Sequence, residues 1–194
     1  MAETVLLRIG DQRRAKAEIF IRTVYATQYE ADIDAFPFPL FVLVDDRSAI
    51  LCAAGVRSAE DGFFSEFYLD APIEATLSAI SGRTIARSEV LEVCTLASSA
   101  PQLTGKFINA IVAFGEANGF AWSFFTLTNR LRNMVEKLGL APIFLANADR
   151  NRISDFERWG TYYSDDPKVY AVASASLARS FATGQRIVSY ANAV

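Results

Sequence analysis

Glu92 stands in the middle of SEVLEVCTLA, between Leu91 and Val93 in an otherwise apolar run of strand length. A carboxylate turned inward from such a strand has left water and needs a reason to be there. Partial burial raises a carboxyl pKa toward neutrality, which suits a general base that deprotonates an amine directly or through water. An exposed glutamate, or one paired with an arginine, is the plainer alternative. Strict alternation puts Glu92 and Cys94 on one face, and Leu91, Val93 and Thr95 on the other. Glu66, in SEFYLD, is a second carboxylate for the same site, with arginine pairing again the plainer reading. Tyr162 and Tyr163 are candidate phenol proton donors to a leaving group, or else simply pack the last strands. Histidine is absent. That removes imidazole bases, Ser–His and Cys–His nucleophiles and most zinc sites, so no metal is expected.

Two further groups of residues can bind rather than react. Glu30, Asp32 and Asp34 form an acidic run before a proline-broken turn. They read as a solvated loop or as a carboxylate cluster for a cationic amine, with Arg22 and Arg57 available to fix their geometry. The polar stretch SSAPQLTGK opens a helix directly after the Glu92 strand. Backbone N–H groups at Gln102, Leu103, Thr104, Gly105 and Lys106 can hold an anion there. Asn129 and Arg132 open the next helix and can touch the same ligand, or be surface polar groups. Val93 and Thr95 border the site from the strand. Phe63, Phe64, Phe67 and Tyr68 read as core, with the wall of an acyl pocket as their second use.

The elements that must position these residues follow from periodicity and punctuation. Residues 4–9 read as a strand, and Asp11 as the cap of a helix over 12–27. LFVLVDD and AILCAAGVR form a hairpin. Residues 70–81 read as a helix, with Pro72 early and Gly82 just past its end. Strands at 88–97 and 121–127 alternate with helices at 102–118 and 129–138. PIFLANAD and KVYAVAS are the last strands, joined by a polar and aromatic connection, and ASLARSFATGQ closes with a helix. Antiparallel strands first and β-α-β-α-β later predict a mixed α/β sheet.

The chain has 194 residues, 52% of them apolar, which predicts one folded domain over 1–194 with a core over about 4–175 and an extension over 176–194. No run reaches the roughly 20 apolar residues of a membrane span, so stable membrane insertion is not expected. The first residues do not read as a signal peptide, and the expected location is cytoplasmic. Cys52 and Cys94 are expected to be buried free thiols. A net charge of -3 gives no global attraction to nucleic acid, and none is expected as a partner. Oligomeric state is open.

In this order the chain resembles the Gcn5-related N-acetyltransferase fold, with SEVLEVCTLA as its fourth strand, SSAPQLTGK as its pyrophosphate loop and AWSFFTLT as its fifth strand. NRLRNMVEKLGL is similar to that family's fourth-helix signature, through Glu136, Lys137, Gly139 and Leu140, with Val135 where a tyrosine acid is often found. The resemblance implies splayed central strands that admit the pantetheine arm of coenzyme A. A closer resemblance, spanning most of residues 20–172, is to the thermostable hemolysin family. It rests on FFSEFYLDAPIE, EVCTLA, TNRLRNMVEKLGL, ANADR and WGTYYSDDPKVYA. A partial resemblance to acyl-homoserine-lactone synthases rests on Arg22 with Tyr25, on Glu30, Asp32 and Asp34, and on Arg57 and Glu92. Thr95 stands where those synthases carry an arginine, so the acceptor is left as a small amine. Together these imply an N-acyltransferase drawing on acyl-coenzyme A or acyl-carrier protein, by direct attack. A membrane-active hemolysin without enzymatic activity, and a ligand-binding member of the fold that has lost catalysis, are the alternatives.

Overall fold

The computed structural model describes residues 2–37 and 39–174. The extension over 176–194 and its closing helix lie outside the described residues. Seven strands form one sheet. β1 (Glu3–Leu7), β2 (Leu40–Val44), β3 (Ile50–Arg57) and β4 (Val90–Ser98) follow one another antiparallel. β5 (Trp122–Leu127) lies parallel to β4, and β7 (Lys168–Ala173) is inserted between β5 and β6 (Ile143–Asn147). Every residue of β2 is buried, and LFVLV reads as a continuous apolar run because both faces of the sheet are covered. This is the mixed α/β sheet that the order of elements predicts.

One face carries α1 (Arg14–Tyr29) and α2 (Ile73–Ser81). The other carries α3 (Pro101–Ala117) and α4 (Asn129–Lys137). Ala17, Ile21 and Tyr25 form the buried stripe of α1, at the spacing of a core-facing helix. Ile73 and Leu77 do the same for α2, and Phe107 and Ile111 for α3. No helix of the described residues is long and apolar enough to cross a membrane.

The boundaries correct several expectations. α1 starts at Arg14 and not at residue 12, because Asp11 makes a turn of its own. Its carboxylate accepts from the Arg13 N–H at 2.9 Å and the Arg13 guanidinium at 2.8 Å, and its carbonyl accepts from the Arg14 N–H. That guanidinium holds the Asp11 carboxyl down at about 2. α2 starts at Ile73 and not at residue 70, since Ser65–Tyr68 form a separate 3-10 turn. Glu66 reaches from that turn to accept from the Ile73 N–H at 2.8 Å and, through both oxygens, from Arg87 at 2.6 and 2.9 Å. Arg87 also holds Glu74 at 2.8 Å and lies over the Phe63 ring. α3 begins at Pro101, one residue before its expected start at 102, so residues 101–106 of the stretch that the resemblance casts as a loop form its first turns.

Residues 150–165 make three 3-10 turns that cross the C-terminal end of α1. The Asp32 N–H donates to the Arg158 carbonyl at 2.7 Å, and the Thr161 N–H donates to the Tyr29 carbonyl at 2.7 Å. Gly160 sits at this crossing with φ 54 and ψ -124, a conformation essentially closed to side-chain-bearing residues. A Cβ there would fall 2.0 Å from the Tyr29 carbonyl oxygen.

Gly160→Ala is therefore expected to destabilise the fold by about 3 kcal/mol or more, from backbone strain plus overpacking against immobile backbone. Gly119→Ala, with open space around it, should lose only the strain of about 1–2 kcal/mol. Urea denaturation of the two variants checks the difference. Arg87 holds the Glu66 carboxyl below its usual range. A lowered folded pKa gives stability that is present above the unfolded value of about 4.3 and is lost as pH falls through the folded value. Glu66→Gln should therefore be less stable than wild type at pH 7. The gap should close at acid pH, where both side chains are neutral.

Candidate functional site

β4 and β5 are paired only at their first residues, Val90 to Glu92 against Trp122 to Phe124. Beyond that register they separate, and the facing edges of 93–98 and 125–127 have no strand partner among the described residues. A bulge in β4 accompanies the separation. Ala53 faces Ala97 but Gly55 faces Cys94, so β4 carries one residue more than β3 across this stretch. Thr95 takes the extra position with φ 48, an outlier for a β-branched residue, and its buried hydroxyl has no hydrogen-bond partner among the described residues. The bulge also resets the alternation. Glu92, Cys94 and Ala97 face the α1 side, whereas Val93 and Leu96 face α3. Thr95 therefore does not share the Val93 face as strict alternation predicts.

A cleft runs through the sheet at this gap. On the α1 side its walls are Tyr25, Tyr29, Phe64, Tyr68, Trp159 and Tyr162. Tyr162 is their hub, with ring centroids 5.2 Å from Tyr29 and 5.4 Å from Trp159. On the other side the cleft follows α3 from Ile108 through Val112 to Gly115, with Phe125, Leu131 and Val135 opposite. The Ser65 and Thr126 hydroxyls, 2.8 Å apart, bridge the 65–68 turn to β5 at its edge. The Tyr68 phenol, held by the Tyr163 hydroxyl at 2.7 Å, stays protonated because burial raises its pKa.

A second cavity opens beside the first on the α1 side. The two share Phe64, Cys94, Thr95 and Trp159. This one is lined by charge: Asp32, Asp34 and Asp155 against Arg57, Arg152 and Arg158. Arg158 grips Asp34 at 2.6 Å and Asp32 at 3.0 Å, and holds the Asp34 carboxyl below its usual range. Arg152 pairs with Asp70. The 31–37 segment that carries the aspartates is pinned from several sides. Arg22 donates to the Ile33 carbonyl, Arg14 donates to the Pro37 carbonyl, and the Pro37 ring lies so close to Gly55 that a Cβ there would meet it at 2.1 Å.

Glu92 is fully buried and lines neither cavity. Its two oxygens accept from the Phe64 and Ser65 N–H groups, each at 2.7 Å, and the Arg57 Nε lies 3.9 Å away. Burial is the largest influence on its carboxyl and raises the pKa, against the backbone hydrogen bonds and Arg57. Glu66 is likewise outside both cavities, taken up by Arg87 and the start of α2. Tyr163 stands behind Tyr68 rather than in the cleft.

Of the residues read as binding the donor, Val93 and Thr95 line the cleft. Gln102, Leu103, Thr104, Gly105 and Lys106 occupy the first turns of α3, whose N-terminus has no side-chain cap. Thr104 is buried and donates to the Ser98 hydroxyl at 2.8 Å, Leu103 packs in the core, and Lys106 reaches the Ala2 carbonyl. Gly105 packs closely under Leu138. Asn129 opens α4, and Arg132 is folded back onto Glu136 and Asn133. Of the acceptor candidates, Asp32, Asp34 and Arg57 line the charged cavity and Tyr25 the apolar one. Arg22 acts on the loop backbone, and Glu30 ends α1 in a left-handed conformation. Sequence reasoning missed Arg158, Asp155, Ser65 and Thr126. It placed Tyr68 only among the walls. Nothing in local sequence marks Arg158, whose partners lie 124 and 126 positions away.

No curated protein matches the chain by sequence. Solved structures do match in fold. FeeM, an N-acyl amino acid synthase from uncultured soil microbes, has a TM-score of 0.61 at 15% identity, covering 94% of this chain and 97% of that one. The AHL synthase LasI has a TM-score of 0.58 at 8% identity, covering 89% and 90%. A structure from Lactobacillus plantarum assigned as an N-acetyltransferase has a TM-score of 0.55 at 11% identity, covering 89% and 97%. The chain thus shares the fold of these structures, a mixed sheet whose central strands here splay apart. By sequence, the profile described as Thermostable hemolysin matches residues 7–177, and the chain belongs to that family.

Proposed function

We propose that this protein is an N-acyltransferase that moves an acyl group from a coenzyme A or carrier-protein thioester to a small amine. One observation carries the reading: an apolar cleft through the splayed strands meets a charged cavity at Cys94 and Thr95. A thioester carbonyl at that junction has the acyl chain on one side and the acceptor on the other. The phosphopantetheine arm lies in the gap between β4 and β5, where its amides pair with the free strand edges. Its phosphates lie at the uncapped N-terminus of α3, at the first turn that holds Gln102 to Thr104, where N–H groups and the helix dipole favour anions. Asn129 at the start of α4 borders the same mouth. The acyl chain follows the apolar wall along α3 toward Gly115.

The chemistry is a direct displacement. The amine nitrogen attacks the thioester carbon, the carbon–sulfur bond breaks, and the products are an amide, a free thiol and the proton released by the ammonium. Placing both reactants at one junction supplies much of the rate. The Tyr68 phenol and the backbone N–H groups of the splayed edge donate hydrogen bonds to the carbonyl oxygen as charge develops. Tyr163 stands behind Tyr68 and outside the cleft, so the leaving-thiolate role expected of it is not carried forward. Nor is Glu92 carried forward as a direct base, since both its oxygens hold backbone amides away from the cleft. It is a positioning residue that fixes Phe64, Ser65 and, through the same turn, Tyr68. Two free cysteines and a thioester donor suit a cytosolic enzyme. Lysis associated with the family name is then the work of an acylated product.

Calorimetry should show binding of dodecanoyl-coenzyme A or dodecanoyl-carrier protein, with free thiol released on adding amines; binding of neither donor overturns the reading. Val112→Phe, midway along the cleft, should move the preferred acyl chain to a shorter length. Each methylene lost from burial is worth about 0.8 kcal/mol, or roughly fourfold in kcat/KM. An unchanged chain-length profile would place the acyl group elsewhere. Glu92→Gln turns an amide N–H₂ against a backbone N–H. It should therefore cost about 1–3 kcal/mol in stability and raise KM for donor and acceptor together. A folded variant of unchanged stability whose kcat alone falls by about 10²–10⁴ would instead restore Glu92 as the base.

A further inference from the structure

We propose, resting on the acyltransferase reading, that the acceptor is a free α-amino acid with an apolar side chain, recognised as a zwitterion in the charged cavity. Arg57 carries the first part of this. It lines the cavity where it meets the thioester cleft, yet among the described residues its buried Nε has no hydrogen-bond partner, its neighbours there being the Cys94 thiol and Glu92. Glu92, at 3.9 Å, is beyond hydrogen-bonding distance and already holds two backbone amides. The Arg57 Nη1 makes one long contact, 3.4 Å, to the Asp61 carbonyl. A guanidinium with five donors, so incompletely used and turned to a cavity, matches a planar carboxylate.

The aspartates carry the second part. Arg158 is shared between Asp32 and Asp34, so two carboxylates face one guanidinium. Both keep well-exposed side chains, at 75% and 59%, with oxygens open to the cavity for an ammonium. The sum of the lining is the third part. Three acidic and three basic side chains surround the cavity, which leaves no net field for a polyamine or for an acceptor with a second acid group. A ligand that brings one charge of each sign on adjacent atoms matches both ends. Phe67, 63% exposed, lies with Phe64, Ile153 and Trp159 on the same lining and offers a surface for an apolar side chain. The reaction then joins the acyl carbon to the α-nitrogen and releases the thiol and one proton, and the carboxylate stays intact in the product.

The test uses the purified full chain with dodecanoyl-coenzyme A, following thiol release and product mass. Acceptors are leucine, leucinol, glutamate and spermidine; leucinol keeps the amine and the side chain but lacks the carboxylate. Leucine should exceed leucinol in kcat/KM by about 10²-fold or more, because a site built for a polar group strongly rejects the analogue without it. Glutamate and spermidine should be poor. In Arg57→Gln the leucine-to-leucinol ratio should collapse toward one. The ratio is independent of the fraction folded, and Arg57→Met, likewise uncharged, provides the same measurement if the glutamine variant is not recovered. Leucinol turned over as well as leucine, a preference for spermidine or glutamate, or a ratio unchanged in the Arg57 variant overturns the zwitterion proposal and leaves the acyltransferase standing. Donor binding in calorimetry without turnover of any acceptor also overturns it. Failure of the donor to bind at all is the separate failure of the acyltransferase reading.

Discussion

The wall of the site hangs on a single buried carboxylate. Glu92 is fully buried, and its carboxylate is compatible with that burial because the Phe64 and Ser65 N–H groups meet its two oxygens with Arg57 close by. Those two amides begin the turn that presents Ser65 and Tyr68 to the cleft and Phe64 to both cavities. The turn continues through Glu66, which fastens the start of α2 and Arg87. A chain of polar contacts thus runs from the central strand to the outer helix, each link satisfying groups that would otherwise be buried unpaired. Removing the first link would leave two backbone donors facing an apolar core.

The order of elements was legible because it depends on local pattern. Proline and glycine at the ends of α2, the apolar run of β2 and the strand–helix alternation after residue 88 all announce themselves within a dozen residues. Glu92 was also legible as an inward carboxylate, since its neighbours are apolar on both sides. Its partners were not. Backbone amides carry no sequence signature, and a carboxylate that binds them reads the same as one awaiting a proton. The plainer reading of Glu66, pairing with an arginine, is what the structure shows, although nothing near it named Arg87. Arg158 was out of reach because its aspartates are joined to it only through the crossing at Gly160. The start of α3 was placed to within one residue although Gln102 to Lys106 are polar, and Thr104 and Leu103 turn inward there.

Tertiary crossing also explains why charge and apolar surface meet where they do. The 31–37 segment and the 150–165 turns are both irregular, and each is fixed chiefly by the other and by arginines reaching out to carbonyls. They supply the aspartates, Arg152 and Arg158 of the charged cavity and also Trp159 and Tyr162 of the apolar cleft, while β3 adds Arg57 to the first and α3 and α4 build the far side of the second. Helices and strands hold the acyl side, whose shape must be constant. Loops hold the part that reads chemical identity, where substitutions change recognition without disturbing the sheet.

The extra residue at Thr95 has a consequence for how this strand can change over generations. Downstream of it, Leu96 faces α3 and Ala97 faces α1. Deleting one position would exchange those faces, setting a leucine against the α1 helix and an alanine in the opposite core, and would draw β4 back toward a straight ladder with β5. A second insertion would do equal harm in the other direction. Replacement of side chains is therefore open along 93–98 within the limits of volume, whereas a change in length is closed. Drift in this segment should be recorded entirely as substitutions, with gaps accumulating instead in the turns that flank it.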